Sequence, residues 1–435
     1  MINKFIFYSI CCLIVWLPIP LGSNRPWAWA ISEIVVFALF ILHLFSHSKT
    51  KTAFFPPTNT WPIFCLIGTL VSTLILQLAF YLSVDPIQTQ ILLLKTISFF
   101  LFGWLVCVYT NSKARISKVV YTLIIAGLFQ ATYATILNLS PNSSTPFFGF
   151  QYAERANGSF IYHNHLANYL AMILAIGIGF IISELKVSPN SHTKARYYVR
   201  DIIQSMLSKK LIIRLCLIVV VTALLLTRSR MGNVAFFVSL AIVGLYALLF
   251  YSNKPWSLKY LITSFFAIDI IIVGTIFDAE KLQTRLIETS FLEESRDEVV
   301  RDSLTLIENS SLIGNGGGSF YGLFPTSQSL PYSGFYDHAH NEYVQFAIEF
   351  GLISSFLVFI LSLYILFITL KNMTKKATQL YKGVSFGVAT SMLFMMIHIF
   401  VDFPLQATAN AMTYIAIMCL GLLCNRDENL TNRRY

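Results

Sequence analysis

The stretch DHAHNEYVQFAIEFG, residues 337–351, places two histidines, an amide and carboxylates where a large hydrophilic loop runs into a long apolar segment. Polar side chains are costly at a membrane boundary unless they are wet and used, so the chemistry of the chain is expected here. The apolar segment that follows sets the fold class. About 20 apolar residues cross the hydrocarbon core as a helix, and comparable runs recur along the chain.

Composition agrees. Of 435 residues, 56% are hydrophobic and 12% charged, with 37 phenylalanines, which is outside the usage of soluble domains and implies an integral membrane protein. Twelve spans are expected, near 5–22, 27–46, 61–82, 91–109, 118–137, 166–183, 210–227, 232–251, 259–277, 343–370, 383–401 and 407–424. No small-x-small cleavage site follows the first run and further spans do, so it reads as a retained helix rather than a secretory leader. The expected architecture is all-α and polytopic.

Basic residues resist translocation and so give the orientation. With the N-terminus inside, the inside segments carry 21 Lys and Arg and the outside segments 8. Both termini are therefore expected in the cytoplasm. The net charge of +10 is then mostly a topology signal. No basic patch with interleaved aromatics marks a nucleic-acid surface. All seven cysteines fall inside expected spans, without metal-site spacing to a histidine, and read as apolar packing residues.

Two exterior segments are substantial, about 138–165 and 278–342. Within the second, RDEVVRDSLTLIE, 296–308, spaces Val300, Leu304 and Ile307 as one apolar face of a surface helix. The glycines of IGNGGGSF, 313–320, force a turn or loop, and the lack of a following Lys-Ser/Thr disfavours a phosphate-binding P-loop. Four arginines face this side: Arg155, Arg228 and Arg230 in a tight turn, and Arg296 at the start of the loop helix. A guanidinium fork matches phosphate oxygens, so the turn pair, with almost no loop to hold it in water, points to an anionic partner at the membrane surface.

The histidines of HAHN admit two readings. If the helix already runs from residue 338, His338, Asn341 or Glu342, Gln345 and Glu349 form one polar stripe. If it starts later, with Asp337 or a neighbour as cap, His340 stands at the first turn, where an anion is favoured. Either imidazole is suited to general-base work on a sugar hydroxyl. Asn164, with His163 and His165, opens the sixth span as Asn341 opens the tenth, and Asp402 and His398 lie near the same face. Lys95, about one turn inside the fourth span, reads as a structural residue that snorkels outward.

HAHNEYVQFAIEFGLI resembles the core motif of the bacterial O-antigen ligase, O-antigen polymerase and protein O-oligosaccharyltransferase superfamily. RANGSFIYHNHLANYLAM, LTRSRMG and SRDEVVRDSLTLIENSSLIGNGGGSF are similar to its other segments, in the same order. The resemblance covers roughly 150–410 of a single membrane domain spanning 1–435, with 278–342 as its large periplasmic loop. Met231 departs from the family's turn, which often has glycine there.

The resemblance implies a GT-C-like bundle of about 12 helices with a helical periplasmic loop domain and a lateral, lipid-open cavity. It implies transfer of a glycan from undecaprenyl diphosphate to an acceptor on the periplasmic face of the inner membrane, without a metal, nucleotide or other cofactor. Carried over residue by residue, it makes His340 the acceptor activator, with His338, Asn341 and Glu342 beside it. It makes Arg230 and Arg296 diphosphate binders; by their place on the same face, Arg228 and Arg155 are further diphosphate-binding candidates, and Asn164, His165 and Asp402 supporting ones. The acceptor is lipid A-core for a ligase, a second lipid-linked repeat unit for a polymerase, or a Ser or Thr, as in pilin, for a protein transferase. The short stretch after the last span favours the ligase. A transporter or lipid flippase is the alternative from another class, but it needs polar sites near the midplane, which is nearly free of charge here.

Overall fold

The computed structural model describes residues 2–50, 53–140, 155–185, 209–251, 263, 295–308, 312–329, 336–376 and 378–425. Every regular element among them is helical: α1 Ile2–Trp16, α2 Pro26–Thr50, α3 Trp61–Ala79, α4 Pro86–Tyr109, α5 Lys113–Leu139, α6 His163–Ser183, α7 Lys209–Leu226, α8 Arg230–Phe250, α9 Ser295–Glu308, α10 Phe320–Leu323, α11 Glu342–Lys375, α12 Gln379–His398 and α13 Thr408–Leu423. Among the described residues, eight helices are long and apolar enough to cross a membrane, and α1, α7 and α13 are shorter apolar helices. The chain is thus a polytopic helical membrane protein. The expected span at 259–277 lies outside the described residues, apart from Thr263, as do 278–294, 309–311 and 330–335 of the large loop and 141–154 of the smaller one.

Local signals set the helix starts. Asp85 accepts from Gln88 N at 3.1 Å with Pro86 in the first turn of α4, and Ser229 accepts from Gly232 N at 3.3 Å at the start of α8. At the centre of the bundle, α6 and α12 touch backbone to backbone. A Cβ on Gly387 would lie 2.8 Å from Ile176 Cα, so this crossing exists only with glycine. The two helices carry the interior, with 94% and 78% of their apolar windows buried.

The connections sort to two ends. At one, Ser159 Oγ donates to Pro18 O (2.6 Å), Val84 N to Asn315 O (2.8 Å), Ala156 N to Leu226 O (3.1 Å) and Glu342 N to Ile399 O (2.9 Å). At the other, Lys113 Nζ donates to Thr378 Oγ1 (3.1 Å), Tyr251 OH to Gln379 Oε1 (2.9 Å) and Trp104 Nε1 to Phe54 O (3.0 Å). Segments expected outside share the first end, and segments expected inside share the second.

Two expectations need correction. The tenth span is not continuous: Gly351, at φ 76° and ψ 166°, breaks α11 nine residues after its start. The glycine-rich loop docks into the break. Asn315 N donates to Ile348 O (2.9 Å), Gly316 N to Glu349 O (3.2 Å) and Ile353 N to Leu312 O (3.4 Å). Gln77 of α3 completes the joint, with Nε2 donating to Ile313 O (2.7 Å) and Glu349 O (2.6 Å), and Oε1 accepting from Gly317 N (3.1 Å). Backbone groups freed at a helix break inside a membrane must be satisfied by protein, and this loop satisfies them. The second correction concerns α9. Its buried face is Val299, Asp302, Ser303 and Leu306, with the expected Ile307 partly buried against the same core, whereas Val300 is only partly buried and Leu304 is exposed. Asp302 turns inward because it accepts from Ser329 N and Oγ, both at 2.9 Å. Val299 and Leu306 then pack with Phe320, Phe324, Ala339 and Ile348 in a small core beneath HAHN.

Candidate functional site

The connection between α12 and α13, residues 399–407, carries VDFPLQ over the mouth of the bundle, and the Phe403 ring is its hub. His338 stacks on it (centroids 4.5 Å) and His340 meets it edge-on (4.8 Å). From the α6 side, His165 meets it edge-on (5.0 Å) and Tyr162 stacks at 5.8 Å. Two polar motifs about 175 residues apart thus converge on one ring.

The start of α11 resolves the geometry of HAHN. Asn341 is the cap, accepting from Val344 N at 3.2 Å, so the helix begins at Glu342. His340 lies just before the cap and not in the first turn, at φ 53°. That left-handed conformation costs an L-residue roughly 1–2 kcal/mol, and such strain persists where the surroundings over-determine it, commonly at functional sites. His340 packs its ring between Phe403 and Tyr336 (5.6 Å). Glu342 is fully buried and accepts from Leu405 N at 2.8 Å, holding the 399–407 connection in place. Asp402, also buried, accepts from Phe403 N at 2.8 Å.

The stripe reading survives in part, through Gln345. Its Oε1 accepts from Ala339 N (3.3 Å), which fixes the amide orientation. The two hydrogens on Nε2 then go to Glu349 Oε1 (3.1 Å) and His338 Nδ1 (3.2 Å). His338 therefore presents Nδ1 as an acceptor and carries its proton on Nε2, which faces Asp337 Oδ2 at 4.0 Å. Burial pushes the His338 imidazole below the usual histidine range against the pull of the Asp337 carboxylate, which keeps it neutral. Held this way, His338 is a hydrogen-bond donor. Glu349 is in turn held by Phe320 N at 3.4 Å, so the glycine loop and HAHN form one network.

The arginines fall into two groups. Arg155 Nη1 donates to His163 Nε2 at 3.0 Å, and the bond from Ala156 N to Leu226 O sets it beside the turn that carries Arg228 and Arg230. Arg228, at φ 51°, and Arg230 are both exposed, while Ser229 between them is buried as the cap of α8. Arg296 lies in the first turn of α9, and its side chain is outside the described residues. Asn164 is buried and donates to Tyr162 OH at 3.0 Å, reaching the hub only through that ring. Among the described residues, no group of three His, Cys, Asp or Glu is arranged to hold a metal ion.

The structure brings together His338, His340, His165, Asp402 and Glu342, and does not place Arg228, Arg230 or Asn164 in contact with the histidines. Sequence reasoning missed Phe403 and Tyr162. Phe403 had a faint signal, since DFP interrupts an apolar run beside an already noted aspartate.

Residues 215–359 match the family model described as O-antigen ligase. Over that stretch the chain is similar to the O-antigen ligase family. No curated protein matches the chain at a significant level. The matched stretch holds the arginine turn, α9, the glycine loop and HAHN, whereas His165 and Phe403 lie outside it.

Proposed function

Taking residues 215–359 as a transferase region of O-antigen ligase type, we propose that the protein moves a glycan from undecaprenyl diphosphate to an acceptor hydroxyl at the Phe403 end of the bundle. The acceptor is lipid A-core, the end in question is the periplasmic face of a bacterial inner membrane, and both termini are cytoplasmic. The family description supports O-antigen ligase- or polymerase-type transfer in general, and the basic-residue asymmetry supports the sidedness.

The carrying observation is the unequal treatment of the two histidines. Gln345 commits His338 to donating from Nε2, which leaves His340 to take the acceptor proton. In the step, His340 accepts the proton as the acceptor oxygen bonds to the anomeric carbon. The bond from that carbon to the diphosphate breaks, and the electron pair leaves on undecaprenyl diphosphate. Arg230 and Arg296, with Arg228 and Arg155, bind the diphosphate and its growing charge, and His338 Nε2–H adds a neutral donor. The histidine proton then passes to the departing phosphate. Asn341, Glu342, Asp402, His165 and Asn164 keep the rings in register.

The test is glycan-capped lipopolysaccharide in cells expressing single variants at equal abundance. His340→Ala is expected to abolish capping, since a general base supplies about 10²–10⁴-fold, and His338→Ala to reduce it less. The opposite order would make His338 the base, and full activity in both would move the active site elsewhere. Capping of a protein, or polymer growth without capping, would transfer the same chemistry to another acceptor.

A further inference from the structure

Lys95 stands nine residues into α4, about 13 Å along the helix from Pro86, and reaches the same end of the bundle as HAHN. Its ammonium lies 4.6 Å from the centre of the Trp29 ring. Glu33, one turn beyond Trp29 on α2, acts on it electrostatically. Glu33 is only 8% exposed and its Oε1 has no hydrogen-bond partner. Charges at this depth are rare and usually functional, and a pair serving only mutual neutralisation is expected to have its remaining oxygens satisfied. The Lys95 charge also reaches His338. The neighbouring Leu92, Thr96 and Phe99 of α4 line an apolar cavity of ≈ 180 Å³ that Tyr343, Phe346 and Glu349 line from α11. The cluster therefore lies beside an apolar chamber and within electrostatic reach of His338.

We propose that Lys95, Trp29 and Glu33 form a binding site for a phosphate-bearing, hydroxyl-rich lipid headgroup, with the Lys95 ammonium on a phosphate oxygen and Glu33 Oε1 accepting from a hydroxyl. Trp29 holds the ammonium in place from its other side. The inference rests on the transferase reading, whose two lipid substrates both have this chemistry. Lys95 thus becomes a substrate contact, where its sequence position suggested only a snorkelling side chain.

The test is binding to the purified full-length protein in detergent, with glycan-bearing undecaprenyl diphosphate and diphosphoryl lipid A as separate probes. Lys95→Met is expected to weaken one of them at least tenfold, Lys95→Arg to retain most of the binding, and Glu33→Gln to weaken the same probe. Loss confined to undecaprenyl diphosphate assigns the site to the donor, and loss confined to lipid A assigns it to the acceptor. The double variant Glu33→Gln/Lys95→Met separates a site from a structural pair. If it restores binding and melting temperature to wild-type values, or if Lys95→Met binds both probes normally, the proposal is overturned. Failure of the wild-type protein to bind either probe would instead overturn the transferase reading.

Discussion

Replacing His340 by glycine separates what this residue does for the fold from what it does for the reaction. At φ 53° the backbone sits where an L-residue is strained by roughly 1–2 kcal/mol. Glycine relieves that strain but loses about 0.5–1 kcal/mol more on ordering, and either glycine or alanine gives up ring contacts with Phe403 and Tyr336 worth roughly 0.5–1.5 kcal/mol each. His340→Ala keeps the strain and loses the contacts, so it is the less stable variant. His340→Gly is expected to exceed it by about 0.5–1 kcal/mol, a melting difference on the order of 1–2 °C for a chain this size. Transfer should fall by about 10²–10⁴ in both. Thermal unfolding of the purified variants and capping in cells read the two effects independently. A glycine variant less stable than the alanine variant would refute the strain argument, and one that still transfers at a tenth of the wild-type rate would remove His340 as base.

Three further outcomes are expected. Gly351→Ala meets a backbone region open essentially to glycine, costing about 1–3 kcal/mol, and its Cβ collides with Leu312 O and the Ile313 backbone; faster proteolysis within 312–318 and loss of transfer are expected, and unchanged proteolysis would show that the loop does not depend on the break. Arg230→Lys and Arg296→Lys keep charge but lose the fork, so each should cut transfer substantially at normal abundance; full activity in both lysine variants and both alanine variants would leave these arginines as topology determinants. Because burial depresses the folded-state pKa of His338, the unfolded chain binds more protons below the ordinary value of 6.5, so the stability from neutral His338 is present above that pH and is lost as pH falls below it. Wild-type melting should therefore drop more between pH 7.5 and 5 than that of His338→Gln, and parallel curves would refute the assignment.

Hydrophobic run length made the bundle legible in the sequence, because span length is set by the membrane and not by tertiary detail. Residues at HAHN were legible for the same reason, as polar groups where only apolar ones are cheap. Three features escaped. The break at Gly351 depends on a loop some 35 residues upstream that supplies the missing hydrogen-bond partners, and a single glycine in an apolar run does not announce that partner. The buried face of α9 turned with Asp302, whose acceptor role is set by Ser329 and not by helical period. Phe403 is an apolar residue in an apolar chain, and only three-dimensional convergence gives it a place at the site.

The joint at Gly351 would also uncouple the proposed reaction centre from the lipid around it. Bilayers of different thickness tilt a long helix or bend its ends. In α11 that movement belongs to the part after the break, whereas the nine residues before it are bonded to Gln77, the glycine loop and the 399–407 connection. The histidines thus ride on the protein's own rim rather than on a helix that follows membrane thickness. Turnover in reconstituted vesicles should accordingly change little between lipids of shorter and longer acyl chains.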